Sequence, residues 1–193
     1  MRFVAAALAF ALAGTAAAGG FSLGFKQVDL PVYVETAGDA MMTDVALLRL
    51  GSALSPDFRI EALLGYAKSS YEDDEDWDAS MSTFAIGGSG FYVIASPSNT
   101  VFSIGGTLLY AKTSSEEDGE DVPETSDLSI LPVMRADFAV PGMERVAFFS
   151  EFGFRYDKAT TTIEAGGEDF ETSYSHLGTF NSPNILGGVY YSF

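Results

Sequence analysis

"VAFFSEFGFRYD", Val146 to Asp157, decides how this chain folds. Every second position gives Val146, Phe148, Ser150, Phe152, Phe154 and Tyr156, while Glu151, Arg155 and Asp157 stand between them. A β-strand sends alternate side chains to opposite faces, so this period of two marks a strand that is apolar on one side and charged on the other. The division recurs along the chain. Phe58, Ile60, Ala62, Leu64 and Tyr66 oppose Arg59 and Glu61; Met134, Ala136, Phe138 and Val140 oppose Arg135 and Asp137; Leu48 and Leu50 flank Arg49. A soluble two-sheet sandwich has the same alternation, with its apolar face buried. Aromatic spacing separates the two. Phe58 and Tyr66, Phe84 and Tyr92, Phe102 and Tyr110, and Phe148 and Tyr156 each stand eight residues apart on an apolar face. Eight residues rise ~26 Å along a strand, or ~20 Å vertically at a ~40° tilt, near the separation of the aromatic girdles around a ~25 Å lipid band. A soluble core gives no reason to repeat that interval on four strands. The predicted fold is all-β: an eight-stranded antiparallel transmembrane β-barrel, apolar outside.

The breaks agree. Ser55-Pro56-Asp57, Ser96-Pro97-Ser98-Asn99 and Pro141-Gly142-Met143-Glu144 read as tight turns, because proline presets a turn dihedral and cannot donate to a ladder. Long polar stretches alternate with them: Thr36 to Thr43, Tyr71 to Asp78, Thr113 to Asp127 and, more weakly, Thr161 to Ser182. The strands expected are 28–35, 44–54, 58–69, 80–95, 100–112, 128–140, 145–159 and 184–193. Residues 21–27 extend the first through a bulge, since the apolar register switches near Lys26. Short turns on the periplasmic side and acidic loops on the extracellular side follow from this layout.

Residues 1–18 have the form of a secretory signal peptide: Arg2, then an apolar run from Phe3 to Ala13, then the small residues Ala16-Ala17-Ala18. The run is shorter than the ~20 apolar residues a spanning helix needs. The mature chain, 19–193, fits one barrel domain. It has no cysteine, hence no disulfide or thiol chemistry. The 10 basic and 27 acidic residues give a formal charge of −17. Such acidity excludes nucleic acid as a partner, since phosphate binding needs Lys and Arg.

The chain ends on "NILGGVYYSF", Asn184 to Phe193, with Val189, Tyr191 and Phe193 on one face. This ending resembles the carboxy-terminal signal read by the barrel-assembly machinery of Gram-negative bacteria. As a whole, residues 19–193 resemble the small outer-membrane β-barrel family of opacity-protein-like and OmpX-like proteins. The resemblance implies an outer-membrane address and the barrel fold, while its members differ in role; outer-membrane lipids and lipopolysaccharide are the expected neighbours, and no cofactor is expected.

Three groups of residues carry candidate chemistry. The first is inward: Arg49, Arg59, Arg135 and Arg155 with Glu61, Asp137, Glu151 and Asp157. Unpaired buried charge is costly, so these eight should pair and plug a barrel that has room only for side chains. The second is acidic: Glu72, Asp73, Asp74, Asp76 and Asp78 in one loop, and Glu116, Glu117 and Asp118 in another. Carboxylate oxygens suit hard divalent cations, though neither loop has EF-hand spacing, and both also read as solvated, repulsive cover. The third is His176, with Ser173, Ser175 and Glu171 near it. Here the resemblance is to outer-membrane lipid A deacylases, which place a serine two residues after the histidine; this chain has Gly178 there.

The expected role is therefore structural or interactive: a monomeric, non-enzymatic barrel closed by charge pairs, serving envelope integrity or adhesion through its loops. A narrow porin is the alternative, and a lipid A-modifying hydrolase a third.

Overall fold

The computed structural model describes residues 20–33, 40–72, 78–117, 120–165, 168–179 and 186–193. Among the described residues, nine strands form one antiparallel sheet: β1 (Phe21–Tyr33), β2 (Ala40–Ala53), β3 (Phe58–Glu72), β4 (Asp78–Ala95), β5 (Thr100–Glu117), β6 (Glu120–Val140), β7 (Met143–Ala165), β8 (Glu168–Thr179) and β9 (Leu186–Ser192). Each of β1 to β7 pairs with the next, and β9 then pairs with both β7 and β1. The sheet is thus closed. β8 and β9 share the eighth place: β8 pairs with β7 over Phe154–Ala165, and β9 pairs with β7 over Val146–Glu151. The result is an eight-stranded antiparallel barrel.

Closure fixes the strand tilt. The ladder runs from Lys26 through Leu47, Gly65, Ala85, Ala111 and Asp127 to Ala159. In the other direction it runs from Lys26 through Gly188 to Phe149. Both routes end on β7, and Ala159 lies ten residues beyond Phe149. A stagger of ten over eight strands tilts them by ~40°. At that tilt the four aromatic pairs, all eight side chains exposed on the outer wall, form two girdles ~20 Å apart.

The turns of the lower end obey local chemistry. Ser55 Oγ accepts the Phe58 N–H at 3.0 Å, closing the β2–β3 turn. Pro141-Gly142 joins β6 to β7, and Gly142 sits at φ 79°, a left-handed conformation that a residue without Cβ adopts freely.

The fold departs from the sequence reading in three places. β1 is a single strand from Phe21, not a strand from residue 28 with a bulged extension: its register with β2 is unbroken from Phe21↔Ser52 to Tyr33↔Ala40. Val28 therefore faces inward, into an aliphatic layer, and the apolar register switch reflects that interior and not a bulge. The stretch 113–127 is mostly ladder, because β5 runs to Glu117 and β6 starts at Glu120. The stretch 161–182 likewise holds the top of β7 and all of β8. Thr160, Thr161 and Thr162 pair there with Ser173, Thr172 and Glu171; β-branched residues suit a ladder even where both faces are polar.

Candidate functional site

The pleat and the closure together send one face of every strand into a narrow lumen. All eight predicted inward charges lie on that face, and two further charges join them. Lys26 and Asp127 are buried there, giving five cations (Lys26, Arg49, Arg59, Arg135, Arg155) and five carboxylates (Glu61, Asp127, Asp137, Glu151, Asp157).

The lower cluster centres on Arg135. Its Nη1 donates to Glu61 Oε1 at 2.6 Å and its Nη2 to Asp137 Oδ1 at 2.7 Å, and Glu151 Oε1 lies 3.5 Å away. Its guanidinium stacks 3.8 Å from the centre of the Phe149 ring, with Phe91 on another side. Arginine suits this place because its planar fork donates in-plane while its faces meet π-systems. Arg49 donates from Nε to the same Glu61 oxygen at 2.7 Å, donates from Nη1 to Ser22 Oγ at 3.1 Å, and lies over Tyr190. Lys26 Nζ donates to Glu151 Oε2 at 2.6 Å and to Thr107 Oγ1 at 3.2 Å. Arg59, the most exposed of the set, stands 3.6 Å from Asp137 Oδ2.

The upper cluster is smaller. Arg155 Nε donates to Asp157 Oδ1 at 2.6 Å and Nη2 to Ser129 Oγ at 3.1 Å. Ser129 Oγ lies 2.6 Å from Asp157 Oδ1 and 2.7 Å from Asp127 Oδ2. Cross-strand threonine pairs, Thr83 with Thr113 and Thr125 with Thr161, line the lumen above.

A layer of aliphatic side chains shares the lumen with the two clusters. Val28, Val45, Leu47, Leu63, Ala85, Leu109, Ala111 and Leu131 are buried and pack together. Gly65 and Gly87 face the same space, and a Cβ on either would run into Leu47 or Leu109. Small residues beside large ones let leucines fill so narrow a lumen. Sequence reasoning assigned apolar residues to the outer wall and missed this layer. Strict parity from Arg49 or Glu61 places Leu47 and Leu63 inside, so the signal was available.

The other candidates do not converge in the same way. His176 stands opposite Asp157 on one face of β8 and is exposed, whereas Glu171, Ser173 and Ser175 lie on the other face. Ser173 bonds Thr160 there, so neither serine shares a face with the imidazole. Of the acidic residues singled out, Glu116 is exposed on β5. Asp73, Asp74, Asp76 and Asp118 lie outside the described residues, as do the side chains of Glu72, Asp78 and Glu117. At the terminus, Phe193 N donates to Phe21 O at 2.9 Å, and its ring meets those of Phe21 and Tyr191. Val189 and Tyr191 face outward on β9.

No protein-family model matches this chain, and no curated protein does. Among solved structures it is similar to a major outer membrane protein from Thermus thermophilus, at a TM-score of 0.52 and 12% identity, over 90% of this chain and 98% of that one. Neisserial surface protein A gives a TM-score of 0.49 at 15% identity, over 90% and 94% of the two chains. Ail, the attachment invasion locus protein of Yersinia pestis, gives 0.45 at 11%, over 90% and 97%. The fold of this chain is that of a small outer-membrane barrel.

Proposed function

We propose that this chain is a closed outer-membrane barrel of a Gram-negative bacterium, serving envelope integrity and surface interaction, and not a transport pore. The filled lumen carries this reading. Among the described residues, ten charges pair in two clusters, and a buried aliphatic cluster packs in the same lumen. An ion would have to break pairs held in a low-dielectric interior and also displace packed aliphatic side chains. In planar bilayers the wild-type protein should therefore show at most rare, small openings. Removing side-chain volume in the layer, as in Leu109→Ala combined with Leu131→Ala, should make openings longer and more frequent. Large, steady channels from the wild type would overturn the closed reading in favour of a narrow porin.

The proposal extends to assembly. Val189, Tyr191 and Phe193 act as the carboxy-terminal signal for the barrel-assembly machinery, with the periplasm at the short-turn end. Residues 1–18 direct export. Deleting Phe193 removes one closing hydrogen bond and two ring contacts, and should lower the outer-membrane yield several-fold in cells. Fractionation and protease protection measure that yield; equal insertion of the deletion and the wild type would rule out a terminal signal.

A further inference from the structure

The chain is acidic and sparing with cations, so the placement of each one carries information. After Arg2, nine basic residues remain. Lys26, Arg49, Arg59, Arg135 and Arg155 are in the lumen, and Arg145 is at the lower end, where it donates to Tyr191 Oη at 3.4 Å. The last three are Lys68, Lys112 and Lys158. All are exposed, and each stands two residues past an upper-girdle tyrosine on the same outward face: Tyr66 and Lys68 on β3, Tyr110 and Lys112 on β5, Tyr156 and Lys158 on β7. Spreading the ten-residue stagger evenly over eight strands puts the three lysines within about 2.5 Å of one another in height. They form an arc just above the lipid band, where headgroups begin.

Each lysine also has a hydroxyl directly across the ladder. Lys68 faces Ser82, Lys112 faces Ser126, and Lys158 faces Ser175. Cross-strand neighbours on one face have Cβ atoms ~5 Å apart, so an ammonium and a hydroxyl can reach one phosphate together. Existing contacts compete weakly. Lys112 Nζ pairs with Glu124 Oε2 at 2.6 Å, but both are about half exposed, and such surface pairs contribute little. Ser126 Oγ lies 3.5 Å from Thr160 O.

We infer that Lys68, Lys112 and Lys158, with their cross-strand serines, form a binding collar for phosphorylated lipid headgroups in the outer leaflet. The collar rests on the outer-membrane reading above and names its lipid partner. It also answers how an acidic surface sits in an anionic leaflet: the cations stand at headgroup level, with the acidic residues at the strand tops above them. A lysine near an anionic lipid surface contributes about fivefold in affinity at low salt.

The test uses the folded barrel in zwitterionic detergent with EDTA, titrated with bis-phosphorylated lipid A and followed by native mass spectrometry. Wild type should prefer lipid A over its dephosphorylated counterpart. The triple variant Lys68→Gln, Lys112→Gln, Lys158→Gln should bind lipid A more weakly, by of order a hundredfold. The corresponding triple Lys→Arg variant should bind as wild type does, and Arg145→Gln, at the other rim, should change nothing. Equal binding of the two lipids, undiminished binding by the triple Gln variant, or binding that vanishes in EDTA would each overturn the collar. A chain that forms no heat-modifiable barrel in detergent would instead overturn the outer-membrane reading itself.

Discussion

Arg135→Met should lower the unfolding stability of the barrel by about 3–5 kcal/mol, the range for removing one partner of a buried ion pair. Arg135 touches three carboxylates: Glu61 at 2.6 Å, Asp137 at 2.7 Å and Glu151 at 3.5 Å. Arg49, Arg59 and Lys26 still compensate one each after the change, but the cluster moves from four cations and three carboxylates to an even count with worse geometry. Methionine fills much of the space and keeps the apolar contact with Phe91 and Phe149, so the loss reads out charge and hydrogen bonding and not a cavity. Arg135→Lys should fall between, because an ammonium keeps the charge but cannot donate in a fork while its faces stack. Adding Glu61→Gln to Arg135→Met should deepen the loss, because Arg49 then has no carboxylate partner. Urea titrations followed by the gel-mobility difference between folded and boiled protein measure all four chains. A loss below about 1 kcal/mol for Arg135→Met would mean that the lower cluster is decoration on a barrel held by its wall alone.

Gly188→Val should prevent closure. A Cβ at this position would overlap the carbonyl oxygen of Phe25 on β1 and reach within 2.6 Å of the Phe149 ring. Among the described residues, strand β9 meets β1 over Ser22–Lys26, five residue pairs, so a displacement at Lys26↔Gly188 removes one end of that seam. It also pushes Phe149 away from Arg135, which joins the wall to the lower cluster. An open edge in lipid leaves backbone donors and acceptors with no partner at several kcal/mol each, so partial closure is not a stable outcome. The variant should give no heat-modifiable species on refolding. Gly187→Ala makes the control: Gly187 pairs with Ser150 on the outer face, and a methyl group there points into lipid. If Gly188→Val closes as well as the wild type, the seam has more freedom than its contacts imply.

The sequence by itself determined the wall. Alternation of period two marks strands without knowledge of their neighbours, and the eight-residue aromatic interval measures a membrane thickness, which is a property of the solvent and not of tertiary contacts. Parity in turn placed Arg49, Arg135 and Glu151 inside. Local patterns misled where the inside is itself apolar: Val28 drew the register away from Lys26, because an aliphatic layer in the lumen mimics the lipid-facing side. They also misled at 113–127, where composition reads as loop although β5 and β6 carry their ladder far above the girdle and bring Asp127 into the upper cluster. Only the tertiary structure decided which charges meet. Glu61 and Arg135 lie 74 positions apart, and Lys26 and Glu151 lie 125 apart. Those pairings follow from closure and stagger, which no single strand encodes. The lysine arc obeys the same division: Tyr66-x-Lys68, Tyr110-x-Lys112 and Tyr156-x-Lys158 are legible in the chain, but only the ten-residue stagger brings them to one height.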